Sequence, residues 1–243
     1  EGELASGLKG EGRMDEVENI LNFIEGRDLP WRNINLLITA GPTYEAIDPV
    51  RFIGNHSSGK MGYAIAEAAL ERGAKVTLIS GPTSLTAPAN VELIKVQSAA
   101  EMFYAVKEHY QKADCLIFSA AVSDYSPKSK ANQKIKKKSD ALQIELTPTQ
   151  DILKFVGEHK KENQFLVGFA LETENEVENA QGKLQRKNLD LIVLNSLQDQ
   201  GAGFGYDSNK VTIIDADNNQ EEFELKSKAE VAQDILNAVE SRW

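Results

Sequence analysis

Residues 34–60 read INLLITAGPTYEAIDPVRFIGNHSSGK, and the chain on either side is organised around them. The segment opens as an apolar run over residues 34–39, the composition of a buried parallel strand. Gly41-Pro42-Thr43 ends the run, because Gly and Pro punctuate regular structure. Further on, Gly54-Asn55-His56-Ser57-Ser58-Gly59-Lys60 leads into an Ala-rich amphipathic stretch, residues 61–72, that predicts a helix. Small and hydroxylated residues ahead of a helix leave its first N–H groups free for an anion. A phosphorylated ligand is therefore expected here.

Two nucleotide motifs come close and fail. Gly54 to Lys60 fits the G-x-x-x-x-G-K part of a P-loop, but Met61 stands where Ser or Thr would hold magnesium. A P-loop also follows its strand directly, whereas here a long insertion intervenes. The dinucleotide fingerprint G-x-G-x-x-G is absent after the first strand, since Gly41 stands alone.

Outward from this segment, strands and helices alternate. Strands are expected at residues 75–80, 91–96 and 114–119, with a helix from the N-cap Ser98 towards Lys112. Further strands at 165–170 and 191–195 flank a charged helix over 175–188, and another helix is expected over 152–161. This predicts an α/β fold: a doubly wound, Rossmann-like, mostly parallel sheet. Ligands of such sheets gather outside the carboxyl ends of the strands. Two additions are expected. Residues 128–138 carry six lysines and precede an alternating strand at 142–146, together a β-flap. A C-terminal hairpin joins residues 211–215 to 222–225, before a final helix over 227–239. Between them, residues 201–209 form a glycine-rich loop.

The chain has 243 residues and a formal charge of −10, which disfavours nucleic acid and anionic membranes as partners. No apolar stretch approaches the length of a spanning helix. The single Cys115 excludes an internal disulfide, and His56, His109 and His159 have no metal-ligand spacing. A cytoplasmic protein is expected. Residues 1–32 read as a separate, Gly-rich leader with a short helix after Asp15, on which Val17, Ile20, Leu21 and Ile24 share a face. With no initiator Met, the sequence reads as a piece of a longer protein.

A longer pattern is far more specific. Thr39-Ala40-Gly41-Pro42-Thr43, Asp48-Pro49-Val50-Arg51 and Asn55-His56-Ser57-Ser58-Gly59-Lys60-Met61-Gly62 resemble phosphopantothenate–cysteine ligase of coenzyme A synthesis. The resemblance continues in order through Ala120-Ala121-Val122-Ser123-Asp124-Tyr125, Lys134-Ile135-Lys136-Lys137, Gly168-Phe169-Ala170-Leu171-Glu172-Thr173 and Lys187-Asn188-Leu189-Asp190. In bacteria this ligase is commonly fused behind a flavin-dependent decarboxylase. Residues 1–32 resemble that decarboxylase's tail, with Ser6 where its catalytic cysteine would stand, so neither flavin nor decarboxylation is expected of this fragment. The ligase domain is then expected over residues 33–243.

The resemblance implies that the carboxylate of 4'-phosphopantothenate attacks the α-phosphate of a nucleoside triphosphate, releasing pyrophosphate, and that L-cysteine then displaces the nucleotide. The motifs resemble the bacterial form, which uses CTP, with Mg2+ accompanying it; no set of magnesium ligands is evident. Positioning and charge neutralisation suit such chemistry, and no Ser-His-Asp or Cys-His nucleophile is apparent. Asn55 matches the asparagine that binds the acyl-nucleotide, Arg51 a functional arginine and Lys134 the flap lysine. Phe118, Ser119, Ala120, Asp124, Phe169, Lys183 and Lys187 match nucleotide contacts. So do Gln150, Asp151, Ile152 and Leu153, although the family pattern has Pro where Gln150 stands. The family is dimeric, which implies a homodimer with Leu142, Ile144 and Leu146 at the interface. Two other readings stand beside this one: an NAD(P)-dependent oxidoreductase, which lacks its fingerprint here, and a non-catalytic nucleotide-binding module.

Overall fold

The computed structural model describes residues 2–3, 9–10, 16–17, 29–137, 141–196 and 206–243. Ser6, Lys138, nearly all of the helix expected after Asp15, and most of the 201–209 loop fall outside those residues.

Six parallel strands form the centre: β1 (Asn35–Ala40), β4 (Lys75–Ser80), β5 (Glu92–Lys95), β6 (Cys115–Phe118), β9 (Phe165–Glu172) and β10 (Leu191–Ser196). Their order across the sheet is β5-β4-β1-β6-β9-β10, which reverses direction between β1 and β6. That reversal opens a crevice at the carboxyl edge. Two antiparallel strands, β11 (Val211–Asp215) and β12 (Gln220–Glu222), extend the sheet beyond β10. The hairpin thus forms as expected, with its second arm at Gln220–Glu222 rather than 222–225. Asp215 fixes the turn by accepting the Asn219 N–H at 2.9 Å.

Successive strand residues face opposite sides, so each strand supplies two cores. Leu36 and Ile38 join the core beneath α1 (Lys60–Glu71) and α5 (Lys228–Glu240), together with Ile65, Val231 and Ile235. Leu37 joins the opposite core beneath α2 (Ala99–His109), α3 (Ile152–His159) and α4 (Glu176–Arg186), with Met102, Val156 and Leu184. Each fully buried Leu or Ile contributes about 1.5–3 kcal/mol, so the apolar runs anchor the strand ends from which the site is built. Arg72 locks α1 to α5, donating to Asn237 Oδ1 at 2.6 Å and pairing with Glu240 at 3.0 Å.

Local signals set the helix starts. Ser98, Asp151 and Ser227 each accept an N–H from the first turn of α2, α3 and α5, and Ser227 forms a capping box with Glu230. Helix α1 begins differently. Gly59 takes its N-cap position with φ 80° and no side-chain cap, its own place for a Cβ lying 3.3 Å from Gly41 Cα. Only glycine adopts that conformation without strain.

Two small pairs flank the sheet. Strands β2 (Tyr44–Ala46) and β3 (Phe52–Gly54) form a hairpin that periodicity did not reveal. Strand β7 (Tyr125–Pro127) pairs with β8 (Leu146–Pro148). This corrects the flap: the strand lies at Leu146–Pro148, not at 142–146. Its partner is only three residues long, and the Thr149 N–H to Asp124 O bond of 2.9 Å holds the register at its far end. Leu142 through Ile144 have no strand partner among the described residues.

Candidate active site

The carboxyl ends of β1 and β6 are stitched together where the sheet reverses. Thr39 is buried; its carbonyl accepts from Ser119 Oγ at 2.7 Å and its Oγ1 accepts the Ala120 N–H at 3.3 Å. Ala121 N–H then donates to Gly41 O at 2.9 Å. Small side chains at 119–121 leave this edge open, and a cavity of about 740 Å³ stands over it.

Asn55 closes one side of the cavity. Its Nδ2 donates to Ala121 O and Val122 O, each at 3.2 Å, and so joins the loop after β3 to the loop after β6. Next to it, Ser57, Ser58 and Gly59 lead into the uncapped start of α1, and Gly62 is pressed against the sheet. A Cβ at Gly62 would lie 2.5 Å from Ala40 Cβ and 2.6 Å from Ser119 Oγ. The N–H groups of this first turn therefore sit at the cavity wall, where an anion is favoured.

The opposite flank is built by α3 and α4. Lys183 is largely buried, and its Nζ donates to Phe169 O at 2.6 Å at the end of β9. Burial pulls its pKa below the ordinary lysine value, against the opposing pull of Glu172, Asp124 and Asp151. Lys187 is paired with Asp151, the N-cap of α3. Burial alone would raise the Asp151 carboxyl, but the Lys187 contact and the Lys154 N–H hold it below its usual range.

The expected nucleotide contacts Phe118, Ser119, Ala120, Asp124, Gln150, Asp151, Ile152, Leu153, Phe169, Lys183 and Lys187 all line this cavity, as does Asn55. Arg51 and Lys134 do not. Arg51 Nη2 lies 2.6 Å from Asp48 Oδ2 and donates to Ile135 O at 2.7 Å, so its guanidinium ties the turn after β2 to the flap. Lys134 is exposed on that tethered loop, one residue from the tie. The single Cys115 is buried in the core, where burial pushes its thiol pKa far above the usual value. It takes no part in the site.

Among the described residues the lining carries five basic side chains, Lys60, Lys183, Arg186, Lys187 and Lys228, against two carboxylates, Asp124 and Asp151. A positive cavity in a chain of formal charge −10 marks a place for an anion.

Residues 31–242 match the family described as the DNA/pantothenate metabolism flavoprotein C-terminal domain. The chain belongs to that family.

Among its relatives, the coenzyme A biosynthesis bifunctional protein CoaBC of Bacillus subtilis (strain 168) is 50% identical over 245 residues, covering 98% of this chain and 60% of that protein. A protein named cysteine/cysteine sulfinic acid decarboxylase, from an unknown prokaryotic organism, is 51% identical over 246 residues, 98% of this chain and 68% of its own length. The crystal structure of the C-terminal domain of a CoaBC protein superposes with a TM-score of 0.76 at 45% identity, covering 88% of this chain and 97% of that one. The chain thus spans about three fifths of the CoaBC protein it matches.

Within this flavoprotein C-terminal domain, sequence reasoning missed one corner of the cavity: Asn195, Asn209 and Lys228. Asn195 and Asn209 belong to strand ends, and Lys228 sits inside a capping box that reads as ordinary helix-start chemistry. One signal was available. A lysine in the first turn of a helix opposes the macrodipole, so its presence there calls for another purpose.

Proposed function

We propose that this domain is a CTP-dependent phosphopantothenate–cysteine ligase of coenzyme A synthesis. The observation that carries the reading is the positive cavity at the sheet reversal, with Asn55 bridging its two loops and no protein nucleophile needed. A carboxylate oxygen of 4'-phosphopantothenate attacks the α-phosphorus of CTP; the bond from that phosphorus to the bridging oxygen breaks and pyrophosphate departs with its electron pair. The amine of L-cysteine then attacks the acyl carbon, CMP leaves, and the amine's proton goes to solvent. Asn55 serves this path as a neutral donor beside the acyl group. Lys183 and Lys187 flank the nucleotide, with Gln150, Asp151, Ile152 and Leu153 forming the helix start against it.

Magnesium would arrive on the triphosphate's own oxygens, which suits an ion that keeps few protein ligands. Among the described residues no group of three His, Cys, Asp or Glu is placed to hold a metal. Among the described residues Asp124 is the lining carboxylate outside the Lys187–Asp151 ion pair, and would be the protein ligand. The coenzyme A setting of the relatives also supports reading residues 1–32 as the end of a preceding decarboxylase domain, residues 33–243 as the ligase, and the cytoplasm as its location. No described helix is long and apolar enough to cross a membrane.

The test is pyrophosphate release from CTP. It should require phosphopantothenate, and amide product should form only when cysteine is added. Release that ignores phosphopantothenate would overturn the reading. A homodimer through the flap belongs to the same proposal. Leu142 and Leu146 are exposed and Ile144 is half-buried, and Val50, Phe52 and Tyr125 are exposed as well. Light scattering should give twice the chain mass of 26.8 kDa, and a monomeric mass would remove the dimer.

A further inference from the structure

We propose that Glu45 is a positioning residue for Asn55: by accepting the first N–H of α2, it sets where the β2–β3 hairpin stands, and so where the Asn55 amide meets the loop after β6. The inference rests on the ligase reading for the reaction that Asn55 serves, and on the geometry of the hairpin for the rest.

Glu45 lies in the middle of β2, a strand of three residues, yet it is only 6% exposed. A glutamate is seldom buried unless its charge has a partner. Its Oε1 accepts the Ala99 N–H at 2.8 Å, and Ala99 is the first residue of α2. An N–H at that position has no acceptor within its own helix. The N-cap Ser98 accepts the Glu101 N–H at 3.2 Å, so the cap and Glu45 serve different amides. The helix macrodipole also favours a carboxylate at this end. One residue earlier in β2, the Tyr44 N–H donates to Gln97 O at 2.7 Å. Two consecutive residues of the hairpin are thus fastened on either side of Ser98. The helix they hold is itself fixed, since Met102 and Val106 of α2 are buried in the core.

The other end of the hairpin meets the site. Strands β2 and β3 pair Glu45 with Ile53 and Tyr44 with Gly54, which leaves Thr43 and Asn55 opposite each other one step further on. Both reach one acceptor: Ala121 O takes the Thr43 N–H at 3.3 Å and Asn55 Nδ2 at 3.2 Å. Thr43 is buried, and its Oγ1 accepts the Ser123 N–H at 2.9 Å. The hairpin is therefore a bracket, with one end on α2 and the other on the loop over the cavity. Tyr44 stacks on Phe52 at 3.9 Å, so its strands move as one. A two-stranded hairpin this short does not hold its own place. Without the Glu45 anchor, β2 shifts and carries Asn55 with it, and the amide loses its aim at the acyl group.

The test is a double-mutant cycle on the rate of amide formation at saturating CTP, phosphopantothenate and cysteine. It compares wild type, Glu45→Ala, Glu45→Gln, Asn55→Ala, and Asn55→Ala combined with Glu45→Ala, each with its melting temperature. Glu45→Ala should be about 10-fold slower than wild type, a smaller loss than that of Asn55→Ala. Glu45→Gln, whose amide oxygen still accepts the Ala99 N–H, should stay within roughly threefold, and Glu45→Ala should cost less than about twofold once Asn55 is gone. A merely structural role would slow both backgrounds alike. The Asn55 side-chain amide signals, identified in NMR spectra by their loss in Asn55→Ala, should move in Glu45→Ala and return in Glu45→Gln. Equal losses in the two backgrounds, or Asn55 signals that do not move, would overturn the assignment. Glu45→Asp, which withdraws the carboxylate by one methylene, carries the same comparison if Glu45→Ala does not fold. A wild type that makes no amide product would sink the ligase reading, and the Asn55 signals would then decide the role of Glu45 on their own.

Discussion

Asn55→Ala should fold as the wild type does and form amide product about 10²- to 10³-fold more slowly, the usual cost of deleting one oriented donor from an acyl-transfer site. The two effects separate because of where Asn55 sits. Its amide is exposed and bonds two loop carbonyls at 3.2 Å. Water replaces such bonds at a cost of about 1 kcal/mol or less. The rate is another matter, since in the proposed reaction the acyl carbon would be held beside the α1 start while negative charge shifts through it. Asn55→Asp keeps the shape but adds a negative charge among phosphates and should fall at least as far. The measurement is the initial rate of product formation at saturating CTP and cysteine, alongside urea unfolding. A rate within roughly threefold of wild type would remove Asn55 from the chemistry.

The central sheet was legible because buried parallel strands are written in continuous apolar runs, and no solvent face blurs them. Leu36-Leu37-Ile38 and Cys115-Leu116-Ile117-Phe118 are such runs, and the Gly41-Pro42 break marks where β1 leaves the sheet. The starts of α2, α3 and α5 were legible through Ser98, Asp151 and Ser227. Strand pairing at the periphery was not. Residues 142–146 alternate well, yet alternation says nothing about whether a partner lies alongside, and Tyr125–Pro127 reaches only Leu146–Pro148. The hairpin of β2 and β3 has the same character. Its residues are too short a run for a period, and Tyr44 stacking on Phe52 at 3.9 Å is a contact between chain positions that sequence spacing does not join.

The site divided along similar lines. Residues carried by motif next to a strand end, such as Ser119, Ala120 and Asn55, fell into the cavity. Residues that reach it from a distant element did not announce themselves: Lys228 comes from the far end of the chain, and Asn209 from a two-residue strand. Arg51 shows the converse. Its motif gave it prominence, and the structure uses its guanidinium on Asp48 and Ile135. The spacing Asp48–Arg51, three residues across a tight turn, was already a local ion-pair pattern.

That turn supports the second large effect. Asp48→Ala should loosen the flap and lower kcat/KM roughly 10- to 100-fold, the scale on which misplacing a reacting group by about an ångström acts. The Asp48 carboxylate is buried and accepts from five donors: the N–H groups of Val50, Arg51 and Ile135 at 2.8, 2.9 and 3.0 Å, and Arg51 Nε and Nη2 at 3.0 and 2.6 Å. Through Ile135 it fixes the residue next to Lys134, and Ala131 N–H to Ile47 O at 3.0 Å adds a second tether. Burial alone would raise the carboxyl pKa; the N–H groups of Ile135 and Val50, with Arg51, outweigh it and hold the group well below the carboxylate range. A carboxyl depressed in the folded state contributes fully above its unfolded value of about 4 and is lost only as pH falls through the folded value. The wild-type tie should therefore persist unchanged from about pH 5 to 8. Asp48→Asn, which keeps an acceptor but no charge, should fall between wild type and Asp48→Ala across that range. Hydrogen exchange at the Ile135 amide reads the tie directly, and kcat/KM reads its consequence. An Asp48→Ala protein whose Ile135 amide stays as protected as the wild type's would show that the flap is held by something else, and that Lys134 owes its position to another contact.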